Sequence, residues 1–445
     1  MDSQRHVAVL AFPFGSHATP TMSLTRLLAS SAPHVTFSFF STATSNAALA
    51  NTLSASVTPN LTLYDVSDGI PDGHVPSPTN PEEKIGLFMK SAYANFKSAM
   101  AAAAGGARVD CIISDSFLPF SADLAREMRA TWVSLWTSAL CSLSAHVHTD
   151  LLRENYNALS DDVPLECAPG LSHLRFRDLP EGVVSGDLDS PFARLACKVG
   201  REIHRADLIA LNTCDGLEPE PALFGLRARL KRCLPIGHLN LLPGLPPEPD
   251  NEGCLLWLDR HEPEKVVYVS FGSIMSPPAR ELDTLALGLE RSGRAFLWSM
   301  KEGERAKLPE GFVERTKGRG LMVGWAPQRA VLAHRAVGVF VNHCGWNSVM
   351  ESLGGGVPMI GRPCLGDHRM NGRIVTHVWR VGVVFEEGFE SEEEVVRALE
   401  VVLTDGEEMR GRARALKMVC ARAVGEGGSS ADNVGRLSDL VCGRL

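Results

Sequence analysis

The sequence predicts an α/β protein with two doubly wound parallel sheets. Short, near-continuous apolar runs rich in β-branched and aromatic residues alternate with helical patterns along the whole chain, as strands buried on both faces by helices require. The scheme occurs twice, on either side of the Pro/Gly-rich stretch LNLLPGLPPEPDNEG at 239–253, which can continue neither a helix nor a central strand. At 445 residues and 44% hydrophobic, the chain has enough apolar material for two ordinary domains.

In the first half the strand candidates are VAVLAF near the start, HVTFSFFS (34–41), LTLYDV (61–66), CIISD (111–115), TWVSLW (131–136) and LIALNT (208–213). TPTMSLTRLLASSAP and PEEKIGLFMKSAYANFKSAMAAAA read as helices between them. The second half offers VVYVSFG (266–272), AFLWSM (295–300), GLMVGW (320–325), VGVFVNH (337–343), VPMIG (357–361) and VGVVFE (381–386). GEGGSS (425–430) ends one helix and caps another, SADNVGRLSDLV. The reading gives a first domain over 1–238, a linker over 239–251 and a second domain over 252–428.

A net charge of −8 offers no basic footprint for a phosphate backbone, so no nucleic-acid partner is expected. The eleven cysteines show neither CxxC pairs nor finger spacing, which argues against zinc. No run approaches the roughly 18 apolar residues of a membrane span, and none forms a signal peptide. A reduced, cytoplasmic, monomeric protein is the expectation.

Ligands of such sheets bind at the carboxyl ends of the strands. After the first strand, FPFGSHATP places His17 in a Gly/Ser turn before a helix. It reads as a solvated histidine or as a general base. Asp115, after the fourth strand, is a loop cap or the acid that orients His17; the first and fourth strands of a doubly wound sheet can be neighbours. Trp136, Thr137 and His146 follow the fifth strand, with Thr137 an N-cap or a ligand contact.

In the second half Trp325 ends a strand and could stack on a flat base. HCGWNS joins a strand to a helix whose N-terminus suits a diphosphate, with His343, Asn347 and Ser348 as donors and Gly345 for the tight turn. Glu351 accepts from a nucleoside's hydroxyls or complements the helix dipole. Ser273, in FGSIMSPP, is a phosphate donor or a turn former. Asp367 and His368 follow VPMIG. GxGxxG and P-loop patterns are absent.

The 44 residues from Trp325 to His368 resemble the donor-binding signature of plant family 1 UDP-glycosyltransferases. W-x-P-Q, H-C-G-W-N-S, the glutamate and G-V-P match, and Asp367–His368 stands where the signature has a final D-Q-type pair. FPFGSHATP, YDVSDGIPDGH, FRDLPEGVV, WLDRHEPEKVVYVSFGS and LPEGFVERT extend the similarity over the chain, toward the flavonoid 3-O-glycosyltransferases. The resemblance implies a GT-B fold, two Rossmann-like domains facing a cleft, with the last helix, about 429–445, packed back on the first domain.

It also implies roles. Trp325 stacks on uracil and the Ala326 backbone pairs with its edge. Gln328 and Glu351 hold the ribose. Ser273, His343, Asn347 and Ser348 hold the diphosphate. Thr137, Trp346, Asp367 and His368 face the sugar. His17 is the base and Asp115 stands behind it. Phe14, Glu82, Phe117, His146, Phe192 and Leu365 line the acceptor pocket. The implied chemistry is an inverting displacement from a UDP-sugar onto a flavonoid or other phenolic hydroxyl, without metal or further cofactor. C-glycosylation through a ring carbon is an alternative, a sugar-nucleotide epimerase a remoter one.

Two departures stand out. Glu82 occupies a place where the flavonoid enzymes carry an amide. The signature ordinarily closes on Gln, associated with UDP-glucose; here it closes on His368, as in galactosyl-, arabinosyl- and some rhamnosyltransferases. Galactose is therefore the favoured sugar, with rhamnose next.

Overall fold

A computed structural model describes residues 5–52, 58–77, 80–157, 161–242, 245–272 and 276–444. The chain forms two compact units, Met1–Pro246 with Arg422–Leu445, and Pro247–Ala421.

The first unit holds a seven-stranded sheet: β1 His6–Leu10, β2 Thr36–Thr42, β3 Leu61–Val66, β4 Cys111–Asp115, β5 Thr131–Trp136, β6 Leu208–Leu211 and β7 Cys233–Pro235. Its order is β3-β2-β1-β4-β5-β6-β7, with every pairing parallel. Chain order reverses between β1 and β4, which makes their carboxyl ends the switch point. β1 and β4 are buried along their whole length. The edge strand β3 leaves Leu63 41% exposed, as one uncovered side requires. β7 is the strand the apolar pattern misses, because at three residues, Cys-Leu-Pro, it is too short to show a period.

One face of this sheet packs Val7, Val9, Phe37, Phe39, Ile113 and Val133 against Leu24 and Leu28 of the helix Ala18–Ser31. Leu437 and Val441 of the terminal helix Ser429–Val441 enter the same core. Arg5 Nε clamps that helix by donating to the Val441 carbonyl at 2.9 Å. The proline-rich stretch does not act as linker from its first residue. Leu239 and Leu242 lie in the first core, so the unit runs on to Pro246. Apolar LNLL belongs to the packed interior, and only the segment after it carries the Pro/Gly character. Val424, closing the helix Glu407–Val424, joins the same core.

The second unit holds β8 Val266–Ser270, β9 Ala295–Ser299, β10 Gly320–Val323, β11 Val337–Asn342, β12 Met359–Gly361 and β13 Gly382–Val384. The order is β10-β9-β8-β11-β12-β13, again all parallel. Its reversal lies between β8 and β11. Val267, Val269, Phe296, Trp298, Val339 and Val341 build the core with Leu282, Leu285 and Leu289 of the helix Ala279–Ser292 and with Val395, Leu399 and Val402 of the helix Glu392–Leu403. Among the described residues no helix is long and apolar enough to cross a membrane.

Candidate active site

At the switch point of the first unit, the loop after β1 delivers His17 to the start of the Ala18–Ser31 helix. His17 Nδ1 lies 2.8 Å from Asp115 Oδ2 at the end of β4. The parallel pairing of β1 with β4 sets these two loops side by side. Asp115 is 1% exposed and the His17 side chain 23%, so the acid is buried behind a ring that still reaches the surface. The other carboxylate oxygen, Oδ1, accepts the Phe117 N–H at 2.8 Å, which fixes its orientation. An ionised carboxylate only accepts, so the proton on this bond sits on Nδ1 and Nε2 keeps its lone pair. Thr137 Oγ1 stands 3.2 Å from the same Nδ1. It is not a helix cap: the next helix, Leu140–Val147, begins three residues later, at Ala139 as N-cap.

Aromatic rings surround the pair. Phe117 meets the His17 ring edge-on at 4.9 Å and stacks on Phe192 at 6.0 Å and on Trp136 at 5.8 Å. His146 packs against Phe117 and Trp136. Phe14 contacts Phe12 and Phe88, and Phe12 contacts His17. Phe14, Phe117, His146 and Phe192 therefore share one cluster around His17. Phe12 and Phe88 belong to it as well, both buried. Glu82 lies in the first turn of the helix Pro81–Ala104, one turn before Gly86, which abuts Pro191 next to Phe192. Leu365 is elsewhere, 44% exposed in the second unit, beside His368.

In the second unit β11 runs into a tight turn. Asn342 Oδ1 accepts the Cys344 N–H at 2.7 Å, and Cys344 adopts φ +61°. The turn feeds Gly345, the N-cap, into the helix Trp346–Gly355. A Cβ on Gly345 would come within 2.3 Å of His343 Nε2, and one on Gly272 within 2.9 Å of Cε1. Both glycines thus make room for the His343 ring. His343 Nδ1 is buried with no hydrogen-bond partner among the described residues. Burial, and then the neighbouring His368 ring, push His343 down to about 3, so it is neutral at pH 7. Ser273 lies outside the described residues.

Trp325 is not part of a strand, since β10 ends at Val323. Its indole is 50% exposed, while Ala326 beside it is buried. Both oxygens of Glu252 hold this loop, accepting the Gly324 and Trp325 N–H groups at 3.1 and 2.8 Å. Gln328 Nε2 donates to Glu351 at 2.7 Å and to Ser348 Oγ at 3.1 Å; its Oε1 accepts from Tyr268 at 3.1 Å. Gln328, Ser348 and Glu351 thus form one polar group at the start of the Trp346–Gly355 helix. Trp346 and Asn347 occupy its first turn, Trp346 buried and Asn347 half-buried.

Asp367 is the N-cap residue and His368 the first residue of the helix His368–Arg373. Asn371 in that helix donates to the Cys344 carbonyl at 3.0 Å, tying it to the turn after β11. The His343 and His368 rings meet edge to face with centroids 4.8 Å apart. Burial pushes His368 down to about 4. Its Nδ1 accepts the Cys364 and Leu365 N–H groups at 3.4 and 3.3 Å. A neutral ring has one proton, so that proton is on Nε2.

A family model described as UDP-glucoronosyl and UDP-glucosyl transferase matches residues 246–411. The anthocyanidin 3-O-glucosyltransferase of Vitis vinifera is 43% identical over 98% of this chain and 97% of its own. The chain belongs to the family 1 UDP-glycosyltransferases. A second relative of this transferase, the anthocyanidin 3-O-galactosyltransferase of Rhododendron delavayi, is 43% identical over 99% of this chain and 98% of its own. The crystal structure of a UDP-glucose: anthocyanidin 3-O-glucosyltransferase in complex with UDP superposes with a TM-score of 0.92 at 37% identity, covering both chains completely. The fold is accordingly GT-B.

Several residues that shape this UDP-glycosyltransferase's candidate site gave no sequence signal. Glu252 stands just past the stretch read as linker, Tyr268 in a strand run, and Asn371 four residues beyond the Asp367 that closes the signature's acidic position. Each acts through hydrogen bonds across a long sequence gap: two for Glu252, one each for Tyr268 and Asn371. Only Asn342, directly before the HCGWNS motif, had a local cue: an Asx residue at a strand end that could cap the following turn.

Proposed function

We propose that this UDP-glycosyltransferase moves a hexose, galactose first and rhamnose next, from UDP to the 3-hydroxyl of a flavonol or anthocyanidin, with inversion at C1. The His17–Asp115 bond inside a ring of aromatic side chains carries the proposal. His17 Nε2 takes the acceptor's hydroxyl proton as the oxygen attacks C1 from the face opposite UDP. Asp115 stabilises the imidazolium that forms, and Thr137 holds the same ring edge. Phe14, Phe117, His146 and Phe192 offer flat apolar walls suited to a polycyclic phenol.

On the donor side, Trp325 supplies a stacking platform for uracil beside the Ala326 backbone, and Gln328 with Glu351 faces the ribose. The amides opening the Trp346–Gly355 helix, Asn347, Ser348, Ser273 and the neutral His343 meet the charge on departing UDP. These donors do the work of a divalent cation, so a chelator should leave the rate unchanged. Trp346, Asp367 and His368 face the sugar. The relatives' activities, glucosyl and galactosyl transfer to anthocyanidins, support the acceptor class and keep the sugar open between close epimers. His368 tips the choice. A glutamine would offer the sugar both a donor and an acceptor, whereas His368, with Nδ1 engaged by backbone amides, offers only the Nε2–H. Buried polar mismatch is what separates such substrates.

A matrix of UDP-galactose, UDP-rhamnose, UDP-arabinose and UDP-glucose against flavonols and anthocyanidins, read by mass and linkage, tests this. UDP-galactose should give the highest kcat/KM and a 3-O-linked product. A higher value with UDP-glucose overturns the sugar, and no product on any flavonoid overturns the acceptor.

A further inference from the structure

The segment Arg362–His368 joins β12 to the helix that His368 opens, and it is pinned at both ends. At the near end the Arg362 N–H donates to the Asn342 carbonyl at 2.8 Å, extending the β11–β12 pairing by one bond. The Arg362 guanidinium grips Glu281 with two parallel bonds, Nε to Oε2 at 2.6 Å and Nη2 to Oε1 at 2.5 Å. Both side chains are well buried, 16% and 13% exposed, and the pairing raises Arg362 above its ordinary value. Glu281 sits in the first turn of the Ala279–Ser292 helix. It also accepts the Phe389 N–H at 3.2 Å. The residue before Phe389 is Gly388, at φ +107°, where a Cβ would fall 2.7 Å from the carboxylate. Arg362 Nη1 reaches on to the Pro363 carbonyl, so the guanidinium fixes the Pro363–Cys364 peptide as well as its own position. At the far end the next two amides, of Cys364 and Leu365, are the ones that hold His368 Nδ1.

We propose that the Glu281–Arg362 pair is the positioning device for donor-sugar choice: it sets the backbone whose two amides fix the tautomer and aim of His368. The inference rests on the reading of His368 as a sugar contact. The two amide bonds to Nδ1 are long, so a small shift of the segment breaks them and releases the ring to the other tautomer. The opposite edge would then present an acceptor instead of a donor. A bidentate guanidinium fork cannot be replaced by a lysine, whose single ammonium makes no parallel pair with a carboxylate. Neither Arg362 nor Glu281 needs to touch substrate for this.

Arg362→Lys, Glu281→Gln and His368→Gln, singly and with Arg362→Lys combined with His368→Gln, decide it in the full chain. The readouts are kcat/KM with UDP-galactose and with UDP-glucose, UDP affinity by calorimetry, and Tm. Arg362→Lys should move the galactose-to-glucose ratio toward unity by about tenfold, equivalent to about 1.4 kcal/mol of discrimination, with UDP affinity held within about twofold. In the His368→Gln background the same substitution should leave the ratio unchanged, because the two act as one unit. An unaltered ratio in folded Arg362→Lys overturns the inference, as does a loss of UDP affinity equal to the loss of activity, which would mark a merely structural role. Should Arg362→Lys fail to fold, Glu281→Gln, which keeps the acid's shape, is read by the same criteria. If His368→Gln by itself leaves the ratio unchanged, it is the sugar-contact reading that fails.

Discussion

The two units each place histidine at a switch point of a parallel sheet, but they treat it in opposite ways. His17 in the first unit has a buried carboxylate on its Nδ1 and part of its ring at the surface. His343 and His368 in the second unit lie ring against ring, pushed by burial to about 3 and about 4. The first sets a carboxylate against the imidazole; the second keeps its two rings neutral. The same side chain can therefore serve as a base in one unit and as a neutral hydrogen-bond donor in the other. The difference lies in the surroundings: a carboxylate faces the His17 ring, whereas burial, seconded at His343 by the neighbouring imidazole, disfavours the charged form in the second unit.

Removing His17 tests the first half of that contrast most severely. His17→Ala should lower kcat/KM on a flavonoid acceptor by about 10²–10⁴, the usual worth of a general base, with UDP affinity unchanged by calorimetry. Near-wild-type turnover would remove His17 from the chemistry.

Asp115→Asn should cost less, about 10² in kcat/KM, for a reason specific to its two bonds. The wild-type carboxylate accepts from Phe117 N–H with one oxygen and from His17 with the other. An amide has a single oxygen. If that oxygen stays with Phe117, an NH₂ group faces Nδ1 and drives the ring proton to Nε2, where the base is needed. Nitrogen-resolved NMR should show the tautomer reversed; an unreversed tautomer with full activity would contradict the orienting role.

The smallest effect concerns stability and the second half of the contrast. Both half-buried rings are pushed below the ordinary 6.5, so between about pH 6.5 and 4 the unfolded chain binds protons that the fold does not. Stability from these groups is then fully present above about pH 6.5 and falls as pH drops toward 4, by at most about 1.4 kcal/mol per pH unit for each ring. Denaturant unfolding across that window should show a shallower slope for His368→Gln than for the parent. Equal slopes would mean that His368 titrates normally in the fold.

Much of this was legible from residues alone. Both sheets were visible because β-rich apolar runs of four to eight residues alternate with helical patterns, and helix-covered parallel strands leave that trace. The donor signature was visible because its residues are consecutive: strand, tight turn, helix and following strand lie within 44 positions. The short β7 was not visible, and neither was the end of the first unit, since a few leucines joining a core read like any apolar stretch.

The sequence by itself thus determined the two-sheet architecture, the transferase family and the residue types at both switch points. Only the tertiary structure decided what those residues are to one another. The acid behind His17 comes from β4, 98 positions away. Asp367 caps and His368 opens a helix. The proton on His368 is placed by two backbone amides, and Arg362 is held by Glu281, 81 positions earlier. Local pattern fixes which element forms, because secondary structure answers to near neighbours. The protonation and direction of a side chain answer to whatever the fold sets within about 3 Å of it, and those neighbours are chosen by strand order rather than by sequence order.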